Sequence, residues 1–199
     1  MRPLFGEQKV TRLEASPFDS AHFRRVLGHF PTGVVAISAI DQDEPVGLTV
    51  GSFTSVSLEP PLVGFFPSKS STSWPRIERA GSFVVNVLAE HQEEVSMAFA
   101  ASGGDKFGRF VWQRGANGAP VLDGVAAWIE CDLVDVVAAG DHLFVLGRVL
   151  DLAVAADRRP LIFFQGGYAR LSGRTREENG VWHRLNDPSV GSVTKRFRG

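Results

Sequence analysis

The sequence predicts a mainly β fold, an antiparallel barrel with a few helices around it. Two observations carry that prediction. Apolar runs rich in β-branched residues recur along the chain, the composition of strands half or fully buried in a sheet. These runs mostly follow one another directly, without the regular helical crossovers that a parallel, doubly wound sheet requires. With 199 residues, of which 44% are hydrophobic, the chain has the size of one domain with a full core.

Residues 1–15 show no apolar period and read as an N-terminal arm. Ser16-Pro17-Phe18-Asp19 has the composition of a helix start: serine caps, proline fits the first helical position, and an acid follows three residues after the cap. Phe23, Val26, Leu27 and Phe30 follow at helical spacing and predict a buried face, and Pro31 ends the helix. Residues 34–40 are apolar and β-branched, and Asp41-Gln42-Asp43-Glu44 is a polar turn into a strand over 45–50. Pro60-Pro61 forces an extended entry into a strand over 62–66. A short helix is expected over 74–79, capped by Ser73 with Pro75 in its first turn. A strand over 83–88 follows, then a helix over 92–101 with Val95, Ala98 and Phe99 on one side. Long strands over 126–137 and 143–150 and a shorter one over 161–164 complete the barrel domain, residues 16–171. After Leu171 the chain turns polar and Gly-rich, so residues 172–199 read as an extension, with Trp182 free to dock elsewhere.

Charge and composition exclude several classes. A net charge of −1 gives no positive field to gather nucleic acid or anionic lipid, and the basic cluster Lys195, Arg196 and Arg198 reads as a solvated tail. The single cysteine, Cys131, allows neither an intrachain disulfide nor a cysteine zinc site, and its place in the alternation Ala127, Ile129, Cys131, Leu133 predicts a buried thiol. No signal-peptide core is seen in residues 1–13, and no apolar run reaches the roughly 18 to 20 residues needed to cross a bilayer. The expectation is a cytoplasmic protein. The five histidines, at 22, 29, 91, 142 and 183, lack metal-ligand spacing. Glycine fingerprints for dinucleotides, phosphate loops and nucleophile elbows are missing as well. Chemistry, if there is any, must come from a borrowed cofactor.

The unusual feature is a density of hydroxyls in the middle of the chain. Thr49, Ser52, Thr54, Ser55 and Ser57 lie in one strand region, where Ser55 and Ser57, two apart, would share a face. Ser68, Ser70, Ser71, Thr72 and Ser73 follow Pro67 before the expected helix, with Lys69 among them. Hydroxyls, free amides at a helix start and a lysine together suit a phosphate. An ordinary serine-rich loop has the same composition, and the residues alone leave both readings open.

A set of short motifs, in order, resembles the flavin reductase-like family, whose fold is the FMN-binding split barrel. The opening is Phe30-Pro31-Thr32-Gly33-Val34-Val35. The main flavin segment resembles Gly47-Leu48-Thr49-Val50-Gly51-Ser52-Phe53-Thr54-Ser55-Val56-Ser57-Leu58-Glu59-Pro60-Pro61-Leu62. Ser82-Phe83-Val84-Val85-Asn86-Val87-Leu88, Asp105-Lys106-Phe107, Gly140-Asp141-His142 and Gly167-Tyr168 follow in the family's order, and the resemblance covers about residues 18–171.

The resemblance implies an NAD(P)H:flavin oxidoreductase that reduces FMN or FAD with NADH or NADPH. It also implies a homodimer with flavin near the subunit interface, supplying reduced flavin to a separate monooxygenase. Pro31, Thr32, Gly33, Val34, Thr49, Val50, Gly51 and Ser52 would line the flavin ring and ribityl chain. Ser55, Ser57, Lys69, Ser70, Ser71 and Thr72 would surround the phosphate. Lys106 and Phe107 would belong to the same cofactor site, and His142 with Gly166, Gly167 and Tyr168 would flank the nicotinamide. Many relatives carry asparagine where this chain has Gly51, a possible lost contact to the flavin. Hydride transfer between stacked rings needs no protein acid or base, which agrees with the missing catalytic constellations. Phe65, Phe66, Phe163, Phe164 and Trp128 read as packing residues. Two alternatives share the fold: a non-catalytic flavin- or haem-binding protein, and an enzyme like the pyridoxamine-phosphate oxidases.

Overall fold

A computed structural model describes residues 17–155 and 158–171, together with the backbone of 174–176 and 182–184. The N-terminal arm, Ser16 and most of the C-terminal extension lie outside the described residues. In chain order the elements begin with α1 (Ser20–Leu27), β1 (Thr32–Gly33), β2 (Val35–Asp41), β3 (Glu44–Val50), β4 (Thr54–Ser57) and β5 (Leu62–Phe65). Next come α2 (Trp74–Ala80), β6 (Ser82–Val87), α3 (Glu93–Ala100), β7 (Trp112–Arg114) and β8 (Pro120–Leu122). The long β9 (Ala127–Ala139) and β10 (His142–Val154) follow, then β11 (Ile162–Phe164) and β12 (Gly167–Ala169), and last β13 (Arg174–Arg176) with β14 (Trp182–Arg184).

The main sheet has seven strands in the order β3-β2-β6-β9-β10-β5-β4, every pairing antiparallel. A second sheet, β1-β11-β12, joins the segment after α1 to the end of the domain. Gln42 and Asp43 take positive φ values of 51° and 66° in the β2–β3 turn, the left-handed backbone that two-residue hairpins require.

Strand β2 explains why the sequence there is apolar without alternation. Val35, Ile37 and Ala39 face a core shared with Phe65, Phe83 and Cys131. Val34 and Ala36 face a second core with Leu88, Phe99, Phe107 and Leu161. A strand buried on both faces has no solvent side on which to place polar residues. Each fully buried Phe or Ile contributes about 1.5–3 kcal/mol. Between strands, the fully buried Asn86 donates to Ala36 O, Ser38 Oγ and Pro120 O and accepts from Leu122 N–H. Its amide is thereby satisfied without water.

Four expectations need correction. The cap of α1 is Asp19, whose carboxylate accepts from His22 N–H at 2.6 Å. The apolar face of α1 is not buried: Phe23 is 49% exposed, Leu27 50% and Phe30 72%. Ser55 and Ser57 do not share a face as regular strand neighbours, because the β4–β5 register shifts between them and the extra residue breaks the alternation. Of the four phenylalanines read as packing, Phe65 is fully buried, whereas Phe66, Phe163 and Phe164 stay exposed.

Candidate functional site

A cleft of about 1170 Å³ runs along the junction of β3, the loop after β5, the end of α3 and the β9–β10 turn. Its floor is Leu48, Thr49 and Val50 of β3, continued by Gly51 and Ser52. Ser68, Ser70, Ser71, Thr72 and Ser73 form a hydroxyl-rich wall, and Phe23, Leu27 and Thr32 also line the cleft. Phe66, Ala139, His142 and Phe163, and Phe99 to Ser102 with Lys106, complete the lining.

The loop wall is fixed by backbone pairing. Lys69 N–H donates to Asp141 O, Leu143 N–H donates to Pro67 O, and Ser68 bridges His142. The Lys69 ammonium donates to Gly140 O at 2.6 Å, so it secures the hairpin turn. Ser71 Oγ accepts from Trp74 N–H, which leaves its own O–H able to donate into the cleft. Ser68 and Ser70 hydroxyls are 2.8 Å apart. Ser52 Oγ accepts from Phe66 N–H and holds the floor against β5.

Thr49 and Lys106 are tied to α3. Thr49 Oγ1 donates to Ser96 O, and Tyr168 O–H donates to Ser96 Oγ. The Lys106 ammonium donates to Gly47 O, Phe99 O and Ser73 Oγ at 3.0–3.2 Å. Burial pushes its pKa below the ordinary lysine value. At the β9–β10 turn His142 Nδ1 lies 2.8 Å from Asp141 Oδ1, and the imidazole holds that carboxyl below the usual carboxylate range, with Lys69 adding a smaller effect.

Half of the residues marked in the sequence meet in this cleft: Thr32, Thr49, Val50, Gly51, Ser52, Ser70, Ser71, Thr72, Lys106 and His142. The others lie around it. Pro31 and Gly33 flank Thr32 on the surface, and Val34 and Phe107 are buried core. Ser55 and Ser57 sit on β4, Lys69 turns to Gly140, Gly166 lies in the β11–β12 turn, and Gly167 opens β12 beside Tyr168, which bonds to Ser96. Sequence reasoning missed Ser96, Phe66, Phe163, Phe23 and Leu27. The exposed apolar stripe on α1 was the one available signal. At Gly51 a Cβ would meet Thr32 Oγ1 at 2.9 Å, so a larger residue there requires the threonine to rotate.

The donor set fits a flavin nucleotide. The cleft is apolar at Leu48, Val50, Phe66 and Phe163, rich in hydroxyls at 70–72, and has no carboxylate among the described residues lining it. That combination suits a flat apolar ring with an anionic tail. Its volume exceeds the roughly 300–1,000 Å³ of ordinary ligand pockets. Residues 27–172 match the family described as "Flavin reductase like domain". The chain belongs to that family.

Among its relatives is a flavin reductase of Pseudomonas putida, 53% identical over 154 residues, covering 77% of this chain and 91% of that protein. The reductase subunit of a flavin-dependent monooxygenase of Rhodococcus jostii is 46% identical over 157 residues, 79% of this chain and 80% of that protein. Among solved structures, the NADH:FAD oxidoreductase of Streptomyces globisporus C-1027, in complex with NAD and FAD fragments, superposes with a TM-score of 0.75. It is 36% identical and covers 79% of this chain and 95% of that one. The fold is accordingly the antiparallel split barrel, and this chain is a flavin reductase. None of its described helices is long and apolar enough to cross a membrane.

Proposed function

We propose that this flavin reductase binds FMN or FAD in the cleft, reduces it with NADH or NADPH, and passes it reduced to a separate flavin-dependent monooxygenase. One observation carries the assignment of the cleft: a hydroxyl-rich wall and apolar residues meet in a space with no carboxylate among the described residues lining it. Flavin and nicotinamide supply the hydride chemistry when bound. The protein's own residues orient and exclude water. Ser70, Ser71 and Thr72 donate to the flavin phosphate, while Val50, Phe66 and Phe163 keep the ring contact dry. Thr49, its hydroxyl donated to Ser96 O, offers lone pairs to the flavin edge and is held still by α3. His142 binds the dinucleotide. Holding two rings in register supplies several kcal/mol of the barrier reduction.

The family match at 27–172 supports reading 16–171 as the catalytic domain, with 1–15 as an arm and 172–199 as an extension. The exposed α1 face, two of whose residues line the cleft, supports a homodimer that covers it. The working site is the cytoplasm, where nicotinamide nucleotides are kept reduced and a lone buried thiol such as Cys131 stays unpaired. Purified protein with added flavin should oxidise NADH or NADPH at about 1–1,000 turnovers per second, followed at 340 nm. A rate equal to that of free flavin with the nucleotide would overturn the assignment.

A further inference from the structure

A second cavity, about 640 Å³, begins where the cleft ends. Thr72, Ser73 and Lys106 line both, so the two adjoin there, and residues 101–108 contribute to their lining. The lining changes character from one cavity to the other. Ser70 and Ser71 line only the cleft, Thr72 and Lys106 line both cavities, and Trp112, Glu44, Asp105 and Arg76 line only the second.

Lys106 is the notable group. It is half-buried, its hydrogen bonds go only to neutral oxygens, and no salt bridge among the described residues includes it. A partly desolvated cation with only neutral partners is stabilised when an anion arrives beside it. The acids beyond it are already engaged. Glu44 pairs with Arg76, and Asp105 accepts from the backbone amides of Phe107 and Gly108. They suit donors such as ribose hydroxyls or an exocyclic amine and disfavour a phosphate. The half-exposed Trp112, braced edge-to-face by Phe107 at 5.9 Å, offers an indole on which a base can stack.

A phosphate site in the cleft, a cation shared by both cavities, and an aromatic with acids in the second cavity match an adenosine diphosphate tail. We propose that the second cavity holds the adenosine half of FAD, with Lys106 at the pyrophosphate and Trp112 against the adenine, so that this reductase prefers FAD to FMN. The proposal rests on the flavin occupying the cleft. The nicotinamide dinucleotide carries the same adenosine diphosphate chemistry, and the test separates the two sources.

Calorimetric titration of the whole chain with FAD, FMN and riboflavin is the first arm. If neither FAD nor FMN binds and NADH is not oxidised, the reductase assignment itself fails, before any variant is made. With that assignment intact, FAD should bind at least about tenfold more tightly than FMN, a difference of 1.4 kcal/mol. Equal affinities overturn the proposal. Trp112→Leu, which keeps apolar volume against Phe107, should bring FAD affinity down to that of FMN. FMN affinity and the KM for NADH with FMN as acceptor should not move. A rise in that KM would assign the cavity to the dinucleotide's adenosine, and equal losses for both flavins would show only damaged packing; either result overturns the proposal. A crystal structure of the unmodified protein with FAD gives an answer independent of the variant: adenine against Trp112 supports it, and adenine elsewhere sinks it.

Discussion

At the scale of single residues, His142 shows how much function a backbone position can lend. It follows Gly140 and Asp141 at the turn of the longest hairpin, its backbone bridges Ser68, and its ring reaches Asp141 at 2.8 Å. That placement gives a hydrogen-bonding group at the cleft mouth and no path for an acid-base role in the cleft floor. His142→Ala should therefore raise the KM for NADH by roughly five- to a hundredfold, the loss of one hydrogen bond of about 1–3 kcal/mol. Flavin affinity should stay unchanged and kcat should fall less than KM rises. Steady-state kinetics with saturating flavin decide it; a fall in kcat at constant KM would contradict a binding role. His142 was legible in the sequence through Gly140-Asp141-His142, as were Ser70, Ser71 and Thr72 through the hydroxyl run. Ser96 was not, because a buried serine on an apolar helix face carries no periodic signal. Its hydrogen bonds to Thr49 and Tyr168 join segments far apart in the chain.

At the scale of elements, the strands were legible because both faces of β2 and β6 are packed, which leaves long apolar runs. The errors fell where local pattern and tertiary context part. The bulge between Ser55 and Ser57 depends on the partner strand β5, which no reading of β4 alone can supply. The apolar stripe of α1 was read correctly as a stripe and wrongly as buried among the described residues, since a periodic pattern does not say whose surface it meets. If a second copy covers it, Val26→Glu with Phe30→Glu should shift the protein from dimer to monomer in sedimentation velocity. These two do not line the cleft, so loss of flavin binding on dissociation would also show that the partner completes the site. A protein already monomeric without these changes would contradict the homodimer. The loop ahead of α2 makes a separate prediction. Ser71→Ala with Thr72→Ala removes charge-assisted hydrogen bonds worth about 1.5–3 kcal/mol each, so FMN affinity should fall at least about tenfold. Riboflavin, which lacks the phosphate, should bind as before; equal losses would show that these hydroxyls do not hold phosphate.

At the scale of the whole molecule, one ion cluster secures the β2–β3 hairpin to α2 beside the cavities. Asp41 accepts from Arg76 Nε at 2.9 Å and Arg79 Nη2 at 2.7 Å, and Arg76 also reaches Glu44. The hydrogen bonds from Arg79 and then Arg76 hold the Asp41 carboxyl below its ordinary value of 3.8, against the opposing effect of burial. The folded protein thus releases this proton more readily than the unfolded chain. Its contribution to stability is complete above 3.8 and is lost as pH falls through the lower folded value. Acid should loosen α2 from the hairpin, and with it the wall that carries Thr72 and Ser73. Urea denaturation midpoints measured from pH 7 down to pH 3 should drop in the acid range, and Asp41→Asn should flatten that drop while lowering stability at neutral pH. Asp141 shifts in the same direction, but its carboxylate is 94% exposed, so water and salt screen it and Asp141→Asn should leave the profile nearly as it was. An unchanged acid profile in the Asp41 variant would place the pH-sensitive contact elsewhere in the barrel.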